Sequence, residues 1–275
     1  MSSILTNSSA MVALQTLKGI NNDLAGVQNE VSTGLKVSNS KDNAATWSIA
    51  STMKEDVAIF DKLVENLDKA DAMVGVARSA TEQVADLLIQ AQEKVVQAAG
   101  ATAEEQATLQ TEIEALAATI SSIALSSQFN GASLTNGTNG ASQTVTMAVV
   151  RDASGTLATV DTMTIAMVDL EAVASALTGL AFDGSQADMD AVDAELDTVN
   201  AAAAAFGAAQ ARIETQSSYL SKQSDALTNG VSALVDADME EASARLTALQ
   251  TQQQLGTQAL SIANQAPQAI LSLFQ

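Results

Sequence analysis

Apolar residues in both halves of this chain recur at alternating intervals of three and four. Leu17, Ile20, Leu24, Val27 and Val31 do so near one end, and Leu109, Ile113, Leu116, Ile120 and Ile123 further on. Val57, Phe60, Val64 and Leu67 follow the same rule, as do Val192, Leu196, Val199, Ala203 and Phe206. Leu220, Leu227, Val231 and Leu234 extend it. This spacing puts one side chain per turn on one face of an α-helix. It fits ordinary core packing and an extended bundle or assembly seam equally well. Composition narrows the architecture: aromatics make up 3% of the chain, and Pro267 is its one proline. Alanine-rich sequence without proline favours long helices that approach closely. The expectation is helical rods rather than a globule around a pocket.

Local signals place the helix ends. Gly34 and Gly100 sit where a first and a third helix would stop. Ser40, Lys41, Asp42 and Asn43 offer caps for a helix starting near Ala44. Asn130-Gly131 and the run from Asn136 to Gly140 form a loop cluster. The period then changes. Val145, Met147 and Val149 alternate with polar or small residues, and so do Met163, Ile165 and Met167. With Asp152, Ser154 and Gly155 between them, these runs predict a β-hairpin over 143–168. Helices resume from Asp183. The fold class is therefore mainly α, with long antiparallel coiled-coil helices from both chain ends and a small β-hairpin insert between.

Composition also closes off chemistry. There is no Cys and no His, so a disulfide framework, a thiolate nucleophile and a Ser-His-Asp triad are excluded. Lys and Arg number 12 against 32 Asp and Glu, a net charge of −20. That charge provides no footprint for nucleic acid and is repelled by anionic lipid. No stretch reads as a membrane span. The opening residues lack the basic region of a secretory signal. No phosphate-binding glycine motif occurs. Asp188, Asp190, Asp193, Glu195 and Asp197 lack the glycine and ligand order of a calcium loop, and read as a solvated helix start. No cofactor, metal or catalytic residue is expected, and the chain reads as a non-enzyme.

Charge is unevenly placed. Residues 1–17 and 246–275 carry none, whereas Val95–Ala211 holds 14 acids and a single basic residue, Arg151. Charge-free ends suit surfaces buried against copies of the same chain, and an acidic middle suits water.

The two ends together resemble bacterial flagellin. Glu30-Val31-Ser32-Thr33-Gly34-Leu35-Lys36-Val37, followed by Ser40-Lys41-Asp42-Asn43-Ala44-Ala45, is similar to the family signature; Thr6-Asn7 and Ala13-Leu14 fit its opening. Leu260-Ser261-Ile262-Ala263-Asn264 and Ile270-Leu271-Ser272-Leu273-Phe274 resemble its terminus, with the late Pro267. The resemblance covers roughly residues 1–135 and 186–275.

The resemblance implies a structural subunit that polymerises into the extracellular flagellar filament, the helical propeller of swimming. Residues 1–40 with 235–275 would form an inner coiled-coil domain. Residues 44–182 with 186–230 would form a rod domain carrying the hairpin, which would contribute to switching between packings. Inner-domain assembly would rest on Leu14, Leu17, Ile20, Leu24, Val27, Val31, Leu246, Leu249, Leu260, Ile262, Ile270, Leu273 and Phe274. Rod packing would rest on Trp47, Val57, Phe60, Val64, Leu67, Leu116, Ile120, Phe206 and Leu220. Its partners would be copies of itself, a flagellar export chaperone, the filament cap and a hook-junction protein, with export needing no cleaved signal. A hook–filament junction protein is the alternative, and a signalling coiled coil is a more distant one. In the stretch Thr81–Gln90, Gln83 and Ala85 stand where many flagellins carry two arginines read by the vertebrate flagellin-sensing Toll-like receptor. Neither replaces an arginine fork, so weak activation is expected.

Overall fold

The computed structural model describes residues 7–137, 140–151, 156–183 and 185–272. In chain order it contains α1 (Ser8–Thr33), α2 (Ala44–Ala98), α3 (Ala103–Ser126), β1 (Gln143–Arg151), β2 (Leu157–Ile165), α4 (Leu170–Thr178), α5 (Gln186–Val235) and α6 (Met239–Ser272). They group into two compact units: Met1–Val57 with Asp225–Gln275, and Ala58–Ser224.

The first unit is built on the pairing of the two chain ends. Asn7 caps α1, its side-chain oxygen accepting from the Ala10 N–H at 3.1 Å. Gly34 ends the helix at φ 73°, a left-handed conformation that glycine adopts without a Cβ penalty, and its N–H returns to the Glu30 carbonyl. The chain then bridges to the end of α5. Lys36 N–H donates to Val235 O at 2.7 Å, and Ala237 N–H to Gly34 O at 2.9 Å. Val37, Ala50, Val231 and Val235 form a small core there, with Leu35 and Met53 packed on it. Asn43 caps α2 through the Thr46 N–H.

In the second unit, a larger core joins α2 residues Val84, Leu88, Ala91 and Val95 to Ile113 and Ile120 of α3, Leu170 and Leu177 of α4, and Val192 and Val199 of α5. α3 starts with a capping box: Thr102 accepts from the Glu105 N–H, and the Glu105 carboxylate accepts from the Thr102 N–H at 2.8 Å. The loop after α3 turns at Asn130 and Gly131, both at positive φ. It buries Ser127, Ser133 and Thr135, whose hydroxyls hydrogen-bond one another. Leu134 O and Thr135 O accept from Val168 and Leu170 N–H, tying this loop to the start of α4. A Cβ on Gly137 would collide with the Asp169 carboxylate, so only glycine fits this close approach.

β1 and β2 pair antiparallel, Gln143 opposite Ile165 and Val145 opposite Met163. Val145, Met147, Met163 and Ile165 are buried. Irregular register between Thr146 and Ala148 breaks the alternation, and Val150 turns half-exposed. Asp152–Gly155, the turn expected from the sequence, lies outside the described residues.

Two features depart from the sequence reading. α2 is one helix of 55 residues, so Gly100 follows the second helix rather than the third. α4 is an addition: nine residues buried through Leu170, Val173, Ala174 and Leu177. Its Asp169 cap and its spacing of Leu170, Val173 and Leu177 were available in the sequence, but the element is short and rich in alanine.

Leu88 is fully buried and its neighbour Ile89 is 45% exposed. Leu88→Ala is expected to destabilise the second unit by about 2–5 kcal/mol, and Ile89→Ala by less than about 1 kcal/mol. Urea unfolding of the monomer measures both.

Candidate assembly surface

α1 and α6 run antiparallel, and their facing stripes follow the alternating three-four rule. On α1 the stripe is Ala10, Ala13, Leu17, Ile20, Leu24, Val27 and Val31, all buried or half-buried. On α6 it is Ala242, Leu246, Leu249, Gln253, Gly256, Leu260 and Ala263. Asn7 Nδ2 donates to Ala263 O at 2.8 Å, and Gln253 Nε2 to Asn21 Oδ1 at 2.7 Å. A Cβ on Gly256 would stand 3.1 Å from Leu17 Cδ1, so the glycine lets the helices approach there. The large apolar members of these stripes are legible in the sequence. Ala10, Ala13, Ala242, Gln253, Gly256 and Ala263 are not, because small and polar residues carry no hydropathy signal even where packing needs them.

The outer faces of the same helices are not polar in the ordinary way. Met11 is 70% exposed and Ile262 68% exposed, and Val12, Leu14 and Leu255 are more than half exposed. They stand where residues 1–17 and 246–275 contribute no charge at all. A folded monomer normally covers such a face or studs it with charge.

The remaining expected assembly and packing residues fall as follows. Leu14 and Ile262 lie on the exposed face, and Leu24 is buried. Leu17, Ile20, Val27, Val31, Leu246, Leu249 and Leu260 are half-buried in the α1–α6 seam. Ile270 belongs to α6, with its side chain outside the described residues; Leu273 and Phe274 lie outside them altogether. Phe60, Leu67, Ile120, Phe206 and Leu220 are buried, Val57, Val64 and Leu116 half-buried, and Trp47 is 41% exposed. Gln83 is exposed on α2, and Ala85 is buried.

Electrostatics differ between the units. Residues 58–224 hold 7 Lys and Arg against 22 Asp and Glu. Glu65 is shared by Lys62 and Lys69, at 2.7 and 2.9 Å, and their hydrogen bonds hold its carboxyl down to about 2. In the first unit, Asp42 fastens the loop between α1 and α2. Its Oδ2 accepts from Asn39 N–H at 3.1 Å, and from Ser38 N–H and Ser38 Oγ at 3.0 Å each. These bonds, led by the Asn39 backbone, hold its carboxyl below the usual aspartate range. That loop, α1 and α6 line an open groove of about 670 Å³, with Lys36, Asn39, Arg245 and Gln252 in its wall.

Among the described residues, no three or more acidic, His or Cys side chains are grouped to hold a metal, and no helix is long and apolar enough to cross a membrane.

Two family models match the chain: the bacterial flagellin N-terminal helical region over residues 4–140, and the bacterial flagellin C-terminal helical region over residues 189–274. A flagellin of Brucella melitensis is 40% identical over 286 residues, with both chains fully covered. Flagellin FljK of Caulobacter vibrioides is 33% identical over 277 residues, covering 100% of this chain and 99% of that one. Flagellin C of Rhizobium meliloti is 35% identical over 321 residues, with both chains fully covered. Among solved structures, the crystal structure of Bacillus cereus flagellin is similar with a TM-score of 0.47 and 23% identity, covering 57% of this chain and 88% of that chain.

The Asp42 fastening has a pH signature. Because folding lowers the carboxyl's pKa, its contribution is complete above the unfolded value near about 3.9 and is lost as pH falls through the lower folded value. Limited proteolysis should cut the 34–43 loop faster in acid than at neutral pH. Asp42→Ala should be cut at neutral pH as fast as the acidified parent.

Proposed function

Because the chain belongs to the bacterial flagellin family, whose members are structural subunits of the flagellar filament, we propose that its filament is nucleated and held by the charge-free α1–α6 pair. The subunit assembles with copies of itself into the extracellular filament that drives swimming. The full-length flagellin relatives do not favour the hook–filament junction protein as an alternative.

The observation that carries the proposal is the exposed row of Met11, Val12, Leu14, Leu255 and Ile262 on segments without charge. In a polymer every contact is repeated at every subunit, and a heterologous contact that does not close on itself grows without limit. A single like charge in such a contact would repel its own copies along the whole filament. Apolar side chains bury there without that penalty. Residues 1–40 and 235–275 are thus read as the inner domain, with Leu14 and Ile262 as inter-subunit contacts and Leu17, Ile20, Leu24, Val27, Val31, Leu246, Leu249 and Leu260 as the intra-subunit seam. Ile270, Leu273 and Phe274 extend the inner domain.

Residues 44–182 and 186–230 are read as the rod, packed through Val57, Phe60, Val64, Leu67, Leu116, Ile120, Phe206 and Leu220. Trp47, with its ring still partly exposed, is read as packing in the assembled rod. The acidic middle and the 143–168 hairpin would face water. The hairpin would bias the subunit between two packings, the kind of bistable element that produces supercoiling. Subunits would travel unfolded through the growing structure with an export chaperone, refold beneath the cap, and join the hook through a junction protein. No catalytic role is assigned. Gln83 and Ala85 would leave the flagellin-sensing receptor weakly engaged.

Adding ammonium sulfate and short filament seeds to purified subunit tests assembly, read by negative-stain electron microscopy. The parent should grow long filaments of constant diameter, and deletion of residues 246–275 should abolish them. Met11→Glu should keep the parent's urea stability in the second unit while lowering filament mass roughly tenfold or more. A parent that stays monomeric with seeds, or a Met11→Glu subunit that polymerises as the parent does, would refute the proposal.

A further inference from the structure

The methionines of the described residues differ sharply in what covers them. Met147 on β1 and Met163 on β2 are buried, at 2% and 7% exposure. Met53 packs on the small core of the first unit, and Met189 on the large core of the second. Met73 and Met167 are half-buried. Two stand apart: Met239 at 43% exposure, and Met11 at 70%, the most exposed large apolar side chain among the described residues.

Their surroundings differ too. Met239 opens α6 and is followed by the exposed Glu240 and Glu241. Met11 lies near the start of α1, in the segment 1–17 that carries no charge. Its companions on the exposed row, Val12, Leu14, Leu255 and Ile262, have no hydrogen-bonding side chain. A thioether is polarisable and packs as an adaptable apolar group. Two-electron oxidation turns it into a sulfoxide, which is polar and chiral. A row of Val, Leu and Ile offers the new oxygen no side-chain donor, and a polar group buried without a partner is costly. At Met239 the same change only adds a polar group beside two exposed carboxylates.

We propose that Met11 is an oxidation site that gates polymerisation. In the free subunit its thioether is open to hydrogen peroxide. The Sδ lone pair attacks one peroxide oxygen, and an S–O bond forms as the O–O bond breaks. The other oxygen leaves as water, taking the remaining proton. Sulfur gives up two electrons and peroxide accepts them. No bond of the chain is cut, so a methionine sulfoxide reductase can reverse the change. The oxidised subunit stays folded but cannot seat its exposed row against another copy. The inference rests on the reading of that row as the assembly contact, and adds to it a chemical off-switch at one atom.

The test treats full-length monomer with hydrogen peroxide, maps the added oxygen by peptide mass spectrometry, and offers the product to filament seeds in ammonium sulfate. Met11 should oxidise before Met147 and Met163, and filament mass should fall about tenfold or more. Far-ultraviolet circular dichroism should stay as in the untreated subunit. Methionine sulfoxide reductases for both epimers, with dithiothreitol, should restore growth. Met11→Leu keeps an apolar side chain and should polymerise before and after the same treatment. In filaments grown first and treated afterwards, Met11 should oxidise several-fold more slowly than in the monomer. An oxidised parent that polymerises as the untreated one does would overturn this inference alone. So would a treated Met11→Leu subunit that loses growth as the treated parent does, since another methionine would then be responsible. An untreated parent that ignores the seeds would instead remove the assembly reading, and this inference with it.

Discussion

The first unit is organised around one antiparallel pairing, that of the first helix with the last. Asn7 reaches the carbonyl of Ala263 across a sequence separation of 256 residues. The seam is shallow. Its members are mostly alanine, leucine and valine at half-burial, with Gly256 admitting Leu17 and Gln253 tied to Asn21. A pair of helices of this kind buries little apolar area compared with the core around Leu88, Ile113, Ile120 and Leu170, and helical stability in proteins comes mainly from such burial. The pairing is weak where a monomer would want it strong, and apolar on the side where a monomer would want charge. Both properties fit the proposal that these ends complete their packing against other copies.

The charge distribution follows from the same demand. Repulsion between identical subunits is tolerable where water and salt screen it and costly where packing excludes them. The acids accordingly crowd into residues 58–224, and the termini have none. Within that acidic unit, four of the seven cations are bound locally. Lys62 and Lys69 hold Glu65, Lys94 meets Glu112, and Arg78 lies 3.5 Å from Glu82. Exposed pairs of this sort contribute little stability. Their effect is to leave the field of the remaining acids unopposed, which keeps the unit soluble.

Much of this was legible in the sequence. Alternating intervals of three and four identified the helices because each packs one narrow stripe. Alternation by two identified the hairpin because one of its faces is buried. Asn43 and Gly34 announced their caps. What stayed hidden had a physical reason in each case. α4 is too short for periodicity to stand out. α2 runs unbroken where two helices were expected, since no proline or glycine cap interrupts it. Asp188 sits among acids that do face water, and composition cannot say which member of such a row turns inward to cap a preceding loop. The seam's alanines, Gln253 and Gly256 lack the hydropathy that marks a core.

The link from Asn7 to Ala263 also sets an order of events. Closing a loop of that length costs conformational entropy, and contacts of such separation form late. α1 cannot find its partner until nearly the whole chain has left the ribosome. During synthesis its apolar stripe therefore has nothing of its own to pack on, while α2, α3 and α4 already have neighbours close in sequence. A newly made subunit thus passes through a stage in which its middle is folded and its ends are still open.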